Sequence, residues 1–312
     1  MYPARFEYLR ASNLAEAIDL VGAHPGAKFL AGGHSLIPMM KLRLAGAPVL
    51  IDIGRLPELK GVELDGDTLR VGALTTHSEL ASSEMVRSAC SLLAEAASQI
   101  ADPAVRNRGT IGGNLAHSDP GSDLPAVVQV VNARLVITGP DGSREVEATD
   151  FFLDLLMSDL KEDEILTAIE IPVSAGISGS CYLKFEHPAS GYAVCGAAAQ
   201  VELAEDGNCR AASLGFNGVA STPVRIGSIE SALSGSFLGD DEIDRAVDVP
   251  AEVCVDSQQL CCPADIILIR TAGQIEPNTS TLNRMEKINS TLQCIVANVQ
   301  FSLFEPLNAY PD

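Results

Sequence analysis

Tryptophan is absent from the sequence, and aromatic residues as a whole reach only 4% of it. Aromatic platforms that stack sugars or single-stranded bases therefore have little to be built from. Positive charge is also scarce: 21 Lys and Arg stand against 41 Asp and Glu, a net charge of -20. So acidic a chain lacks the basic face that DNA, RNA or an anionic membrane requires. The 8 cysteines contain no Cys-x-x-Cys pair, and no Cys/His set has zinc spacing. Nor do they cluster as iron–sulfur ligation demands. No apolar run approaches the ~20 residues of a membrane span. The first seven residues lack the apolar core of a signal peptide. These absences together predict a soluble, cytoplasmic protein with reduced cysteines.

What is present is an ordinary globular composition, 46% hydrophobic and 20% charged over 312 residues. That length suits about two domains. Apolar spacing predicts a helix over 12–23, capped by Ser12 or Asn13, and a strand over 28–31. A short helix at 38–44 and a buried strand at 49–53 follow. Residues 59–64 and 68–74 read as a hairpin around Asp65-Gly66-Asp67. A helix is expected over 84–99, a Gly-rich loop over 109–113 and a helix over 123–131. Strands flank the turn at 139–142, and another runs over 164–171, stopped by Pro172. The Ser/Gly-rich stretch 173–179 marks a domain boundary. Beyond it, strands at 180–186, 192–203 and 209–219 and a helix near 226–234 suggest a small α+β domain.

Two Gly-Gly segments carry the chemistry. Ala31-Gly32-Gly33-His34-Ser35 follows directly on a strand, and Thr110-Ile111-Gly112-Gly113-Asn114 follows Arg106-Asn107-Arg108-Gly109. Paired glycines let backbone N–H groups turn toward a phosphate, because no Cβ blocks the approach. Ser35, Thr110 and Asn114 add side-chain donors. Each segment alone reads more simply as a tight turn; both together suit the two halves of one pyrophosphate. Other phosphate or nucleophile patterns are missing: there is no Gly-x-Gly-x-x-Gly between strand and helix, no Walker A sequence and no Gly-x-Ser-x-Gly.

These residues also carry a resemblance. The runs 31–38, 105–114 and 119–125, with Glu164-Ile165-Leu166-Thr167-Ala168-Ile169-Glu170-Ile171-Pro172, resemble the FAD-binding medium subunit of molybdenum hydroxylases. The nearest type is that of carbon monoxide dehydrogenase, with xanthine dehydrogenase FAD subunits in the same family. The likeness covers about residues 1–245. It implies an α+β fold of the p-cresol methylhydroxylase or vanillyl-alcohol oxidase type, with a small α+β C-terminal domain. Residues 1–173 would form the FAD-binding domain, in subdomains 1–58 and 59–173, and 177–245 the C-terminal domain.

The resemblance further implies non-covalent FAD, with the molybdenum cofactor and [2Fe-2S] clusters on a large and a small partner subunit, in a dimer of heterotrimers. The chain itself would be an oxidoreductase subunit that passes electrons from those clusters through FAD to an external acceptor. Carried over by motif, Lys28, Phe29, Leu30, Ala31, Gly32, Gly33, His34 and Ser35 would line the first FAD loop. Thr110, Ile111, Gly112, Gly113 and Asn114 would line the second. Ile100 would be an apolar flavin contact, and Leu166 would pack on the flavin ring, although Leu166 also suits a plain core. Asp123 would bind the ribityl or adenosine part, or simply cap a helix. Lys184 would bring positive charge to the flavin's pyrimidine end, or be a solvated strand lysine. Tyr192 would lie against the isoalloxazine, or be a half-buried strand tyrosine. Arg106 and Arg108 would balance the phosphates or pair with surface acids. His24, His77 and His187 are scattered and suggest no metal.

Two departures stand out. At 187–191 the stretch His187-Pro188-Ala189-Ser190-Gly191 lacks the family's usual basic and acidic residues. From 246 to 312 the chain loses its Ala/Gly-rich character and the family's terminal helix. That tail reads as a frameshift or gene-model artefact, or as genuine divergence. Two other functions stay open from sequence: a self-contained flavin oxidase or reductase of the same fold, and a scaffold subunit that has lost FAD. The substrate class, whether carbon monoxide, an aldehyde or an N-heteroaromatic compound, belongs to the molybdenum subunit.

Overall fold

The structure is a computed structural model that describes residues 2–247. The expectations for the tail, beyond Val247, lie outside the described residues.

The chain opens with β1 (Glu7–Arg10), α1 (Leu14–Ala23), β2 (Lys28–Leu30), α2 (Leu36–Leu42) and β3 (Val49–Asp52). The three strands form a parallel sheet in the order β1-β3-β2. Of the two cap residues expected for α1, Asn13 serves: its side chain accepts from Glu16 N–H at 2.9 Å. The helix turns Ala17 and Val21 onto β3, whose Ile51 is sealed in the same core. Val49, Leu50 and Ile51 of this strand are all buried, so both of its faces are covered, as suits the central strand.

A turn of 3-10 helix (Pro57–Leu59) leads into β4 (Val62–Asp65) and β5 (Thr68–Gly72), a hairpin around Gly66 at φ +57°. Helices α3 (His77–Ser82), α4 (Glu84–Ala89), α5 (Ser91–Ser98), α6 (Pro103–Arg106), α7 (Ile111–His117) and α8 (Leu124–Val130) follow. The single helix expected over 84–99 is therefore two, broken at Cys90 with φ -151°. The reason is burial: α4 hides Val86 alone, whereas five of the eight residues of α5 are buried. One straight helix could not aim both sets into the core. Then come β6 (Arg134–Gly139), β7 (Gly142–Glu147), α9 (Ala148–Phe151), β8 (Phe152–Asp154), β9 (Met157–Ser158) and β10 (Ile165–Pro172). An antiparallel sheet forms in the order β4-β5-β10-β6-β7. The strand most distant in sequence thus occupies its middle.

The remaining elements are β11 (Ile177–Glu186), β12 (Ala193–Leu203), β13 (Cys209–Asn217), β14 (Val224–Arg225), α10 (Gly227–Leu233) and α11 (Asp240–Val247). The four strands make one antiparallel sheet in chain order. Because β11 begins at Ile177, the linker is shorter than the expected 173–179. Alanines of β12 face both ways: Ala198 joins the core of α5 and α8, while Ala197 and Ala199 join Ile229 and Leu233 of α10. Small side chains let helices lie close on both faces. A Cβ on Gly215 of β13 would come within 2.8 Å of Val130 on α8.

Candidate functional site

The first Gly-Gly segment leaves β2 where Ile53 N–H donates to the Leu30 carbonyl at 3.0 Å. That bond fixes where the strand stops and the loop begins. Gly33 adopts φ +75°, a left-handed conformation that other residues rarely take. Among the described residues, no acceptor takes the backbone N–H of Gly32, Gly33, His34 or Ser35. His34 is exposed, with its ring Nδ1 3.2 Å from the Gly32 carbonyl. Lys28 is exposed at the start of β2, and Phe29, Leu30 and Ala31 are half-buried.

The second segment corrects an expectation. Residues 111–113 are not a loop but the first turn of α7, capped by Thr110, whose Oγ1 accepts from Gly113 N–H at 3.2 Å. Its amides are occupied: Ile111 donates to Thr75 at 3.0 Å, Gly112 to Ala73 at 2.8 Å and Asn114 to Thr110 at 3.0 Å. Gly112 serves packing instead, since a Cβ there would stand 2.5 Å from Ala73 Cβ. Gly113 is exposed, and the half-buried Asn114 accepts Ser122 Oγ–H at 2.7 Å.

The fold brings the two segments into contact. A Cβ on Gly32 would lie 2.2 Å from the Arg108 carbonyl oxygen and 3.1 Å from Gly109 Cα. A Cβ on Gly113 would lie 3.8 Å from Ala31. Two bare backbones thus meet at a junction flanked by four free amides on one side and by Thr110 on the other. Such a cradle fits an anionic diphosphate, because backbone donors approach oxygen without a side chain between. Arg106 is not free to help there: its guanidinium donates to the Ile100 and Ala101 carbonyls at 2.7 and 2.8 Å. Arg108 is exposed.

A second cluster lies where α8 meets the third sheet. Asp123 begins α8 but does not cap it with its side chain. Its carboxylate instead accepts Tyr182 Oη–H at 2.6 Å and Lys184 Nζ–H at 3.0 Å. Lys184 also donates to the Gln99 carbonyl at 3.1 Å, beside Ile100. Both charged side chains are nearly sealed, at 5% and 3% exposure. The positive charge of Lys184 is thus matched by Asp123, and the lysine is not a solvated one. Burial pushes the Asp123 carboxyl up, against the pull of Lys184 and Tyr182. Burial, with Asp123 behind it, drives the Tyr182 phenol well above its ordinary value.

Tyr182 and Asn217 were missed by the sequence reading. Asn217 donates to Tyr182 Oη at 3.1 Å and accepts Ala126 N–H at 2.9 Å. The one signal was Gly196, where a Cβ would stand 2.3 Å from Tyr182 Oη and 2.5 Å from Asn217. Nothing in one sequence reveals which residues a glycine makes room for. The remaining expected residues divide. Ile100 and Leu166 are core residues of one cluster, at 7% and 5% exposure. Tyr192 is half exposed and lies against Gly121, where a Cβ would be 3.2 Å from its ring. Burial and then Asp119 and Asp123 raise its hydroxyl. Residues 119–123 therefore link Tyr192, Asn114 and the Asp123 network.

A junction that fits an anionic diphosphate, on an α+β scaffold with a second α+β layer packed on α5 and α8, suits a nucleotide-binding protein. The comparisons agree. The description "FAD binding domain in molybdopterin dehydrogenase" matches residues 4–174, and "CO dehydrogenase flavoprotein C-terminal domain" matches 180–255. The carbon monoxide dehydrogenase medium chain of Hydrogenophaga pseudoflava is 42% identical over 85% of this chain and 92% of its own. The glyceraldehyde dehydrogenase medium chain of Sulfolobus acidocaldarius is 36% identical over the same shares, 85% and 92%. A solved carbon monoxide dehydrogenase from Hydrogenophaga pseudoflava, lacking the Mo-pyranopterin moiety, superposes with TM-score 0.77 at 43% identity, covering 80% of this chain and 86% of that one. The chain belongs to the family of FAD-binding medium subunits of molybdenum hydroxylases, oxidoreductases with multi-subunit assemblies. FAD is its cofactor, and the residues at the Gly32–Arg108 junction fit that group. When bound, FAD supplies electron transfer.

Proposed function

We propose that this subunit receives electrons from iron–sulfur clusters on a small partner subunit and passes them through FAD to an external acceptor. A large partner subunit with the molybdenum cofactor would hydroxylate the substrate, in a dimer of heterotrimers in the cytoplasm. The observation that carries this reading is the junction of the two Gly-Gly segments, where Gly32 meets Arg108 beside four unoccupied amides. Those amides would hold the pyrophosphate, with Thr110 and Asn114 beside them. Ile100, Leu166 and Tyr192 would bound the flavin. Asp123 and Lys184 would act as one neutral pair beneath it, holding 177–245 as a domain on 1–173.

Reconstitution tests the reading. The chain purified with FAD should be yellow, and its flavin should bleach when the reduced iron–sulfur subunit is added. It should recover when an electron acceptor follows. A flavin that the chain reduces by itself with an organic substrate would instead mark a self-contained oxidase or reductase.

A further inference from the structure

His77 is a buried base that neither Gly-Gly segment contains. It opens α3 behind a capping box formed by Thr76 and Glu79, and it is 3% exposed. Its backbone N–H donates to the Gly109 carbonyl at 3.0 Å. Its ring lies against Gly109, where a Cβ would come within 2.8 Å of Cδ2 and 3.0 Å of Nε2. The same Arg108–Gly109 peptide is the one that Gly32 meets from the first cofactor loop. One peptide therefore touches both the imidazole and the first loop, and it leads directly into Thr110. Nδ1 of His77 is sealed from solvent and has no hydrogen-bond partner among the described residues. A buried nitrogen left unpaired is costly, so its presence calls for a reason in the geometry it supports.

We propose that His77 is a positioning residue for FAD: its uncharged ring seats the 108–110 turn and so holds the Thr110-capped start of α7 against the first Gly-Gly segment. The proposal rests on FAD binding at these loops. The surroundings keep the ring neutral. Burial acts most strongly, followed by Arg106 from α6 and His34 from the first loop, and the ring's pKa falls to about 4. On its own helix, Glu79 is engaged with Thr76. The sign follows by linkage. Between the ordinary histidine value near 6.5 and about 4, the seated ring stays unprotonated while a released ring takes a proton. Acidification through that window therefore favours the unseated turn, and FAD binding should weaken.

The test reads FAD dissociation by flavin fluorescence on the full chain, from about pH 7 to about pH 4.5, a span that covers the window. Wild type, His77→Gln and His77→Ala are compared, with a thermal melt of each apo chain. Wild-type affinity should fall about tenfold or more across the range, whereas His77→Gln should change by less than about threefold, having no proton to gain. His77→Ala should bind more weakly than His77→Gln at neutral pH; if its melt shows no folded state, wild type against His77→Gln decides alone. Identical pH profiles for those two, or binding that tightens on acidification, would overturn the proposal. A wild type that binds no FAD at neutral pH would be a different failure, refuting flavin binding itself.

Discussion

At Gly32 the missing side chain is what allows two distant segments to meet. A methyl group there would need the space of the Arg108 carbonyl oxygen, 2.2 Å away. Backbone cannot yield as a side-chain tip can, so Gly32→Ala must part the loops. Forced overpacking costs about 1–3 kcal/mol, which corresponds to FAD binding weakened about fivefold to 150-fold. Fluorescence titration would show this, and a variant that binds FAD as tightly as wild type would refute the junction. Lys184 makes the opposite case, in which a side chain is indispensable. Lys184→Met would leave Asp123 buried without its cation, held by Tyr182 alone, at a cost of about 3–5 kcal/mol in urea unfolding. The double variant with Asp123→Asn should recover much of that loss. Sequence reading found both partners but not their pairing, because 61 residues separate them and only folding sets the distance.

Among the elements, β7 and β10 show how a partly buried ion pair can set the acid limb of stability. Arg144 on β7 holds Glu164, just before β10, through Nε at 2.9 Å and Nη2 at 2.7 Å. It also reaches Asp159 at 2.6 Å. The Arg144 hydrogen bonds chiefly hold the Glu164 carboxyl down at about 2. A depressed carboxyl gives stability that is full above its unfolded value of 4.5 and is lost as pH falls toward about 2. Glu164→Gln should therefore flatten that part of the pH–stability curve, as measured by denaturant unfolding at stepped pH. An unchanged acid limb would show that the grip on Glu164 contributes nothing. The elements differ in how readable they are. The run of Ile165 to Ile171 is apolar almost throughout and reads as a buried strand. By contrast, α7 hides its start in Gly112-Gly113, residues that favour turns; packing against Ala73 overrides that preference.

Over the whole molecule, the third sheet holds to α8 by polar ties as well as by its alanines. Arg225 on β14 donates to the Gln129 carbonyl at 3.2 Å and to Asn132 at 2.7 Å, while Asn217 on β13 accepts from α8. FAD bound to the folded chain and not to the unfolded one stabilises by mass action. At a hundredfold excess over Kd that is about 2.7 kcal/mol. Apo protein should therefore melt several degrees higher on addition of FAD, read by scanning fluorimetry, and the Gly32→Ala variant should gain less. No shift in the wild type would count against a cofactor site formed by the folded chain.

The sequence by itself marked the two Gly-Gly segments, the positions of most strands and the family. Those features rest on local patterns: glycine pairs after a strand, alternating burial and turn residues between runs. Tertiary structure alone decided the rest. It turned the second Gly-Gly segment from a donor loop into a packed, capped helix start. It paired Lys184 with Asp123 and brought in Tyr182 and Asn217. It also set His77 beneath the turn at Gly109, although nothing near His77 in sequence marks it. In each case the deciding quantity is a distance between residues far apart along the chain, and such distances exist only once the layers have closed.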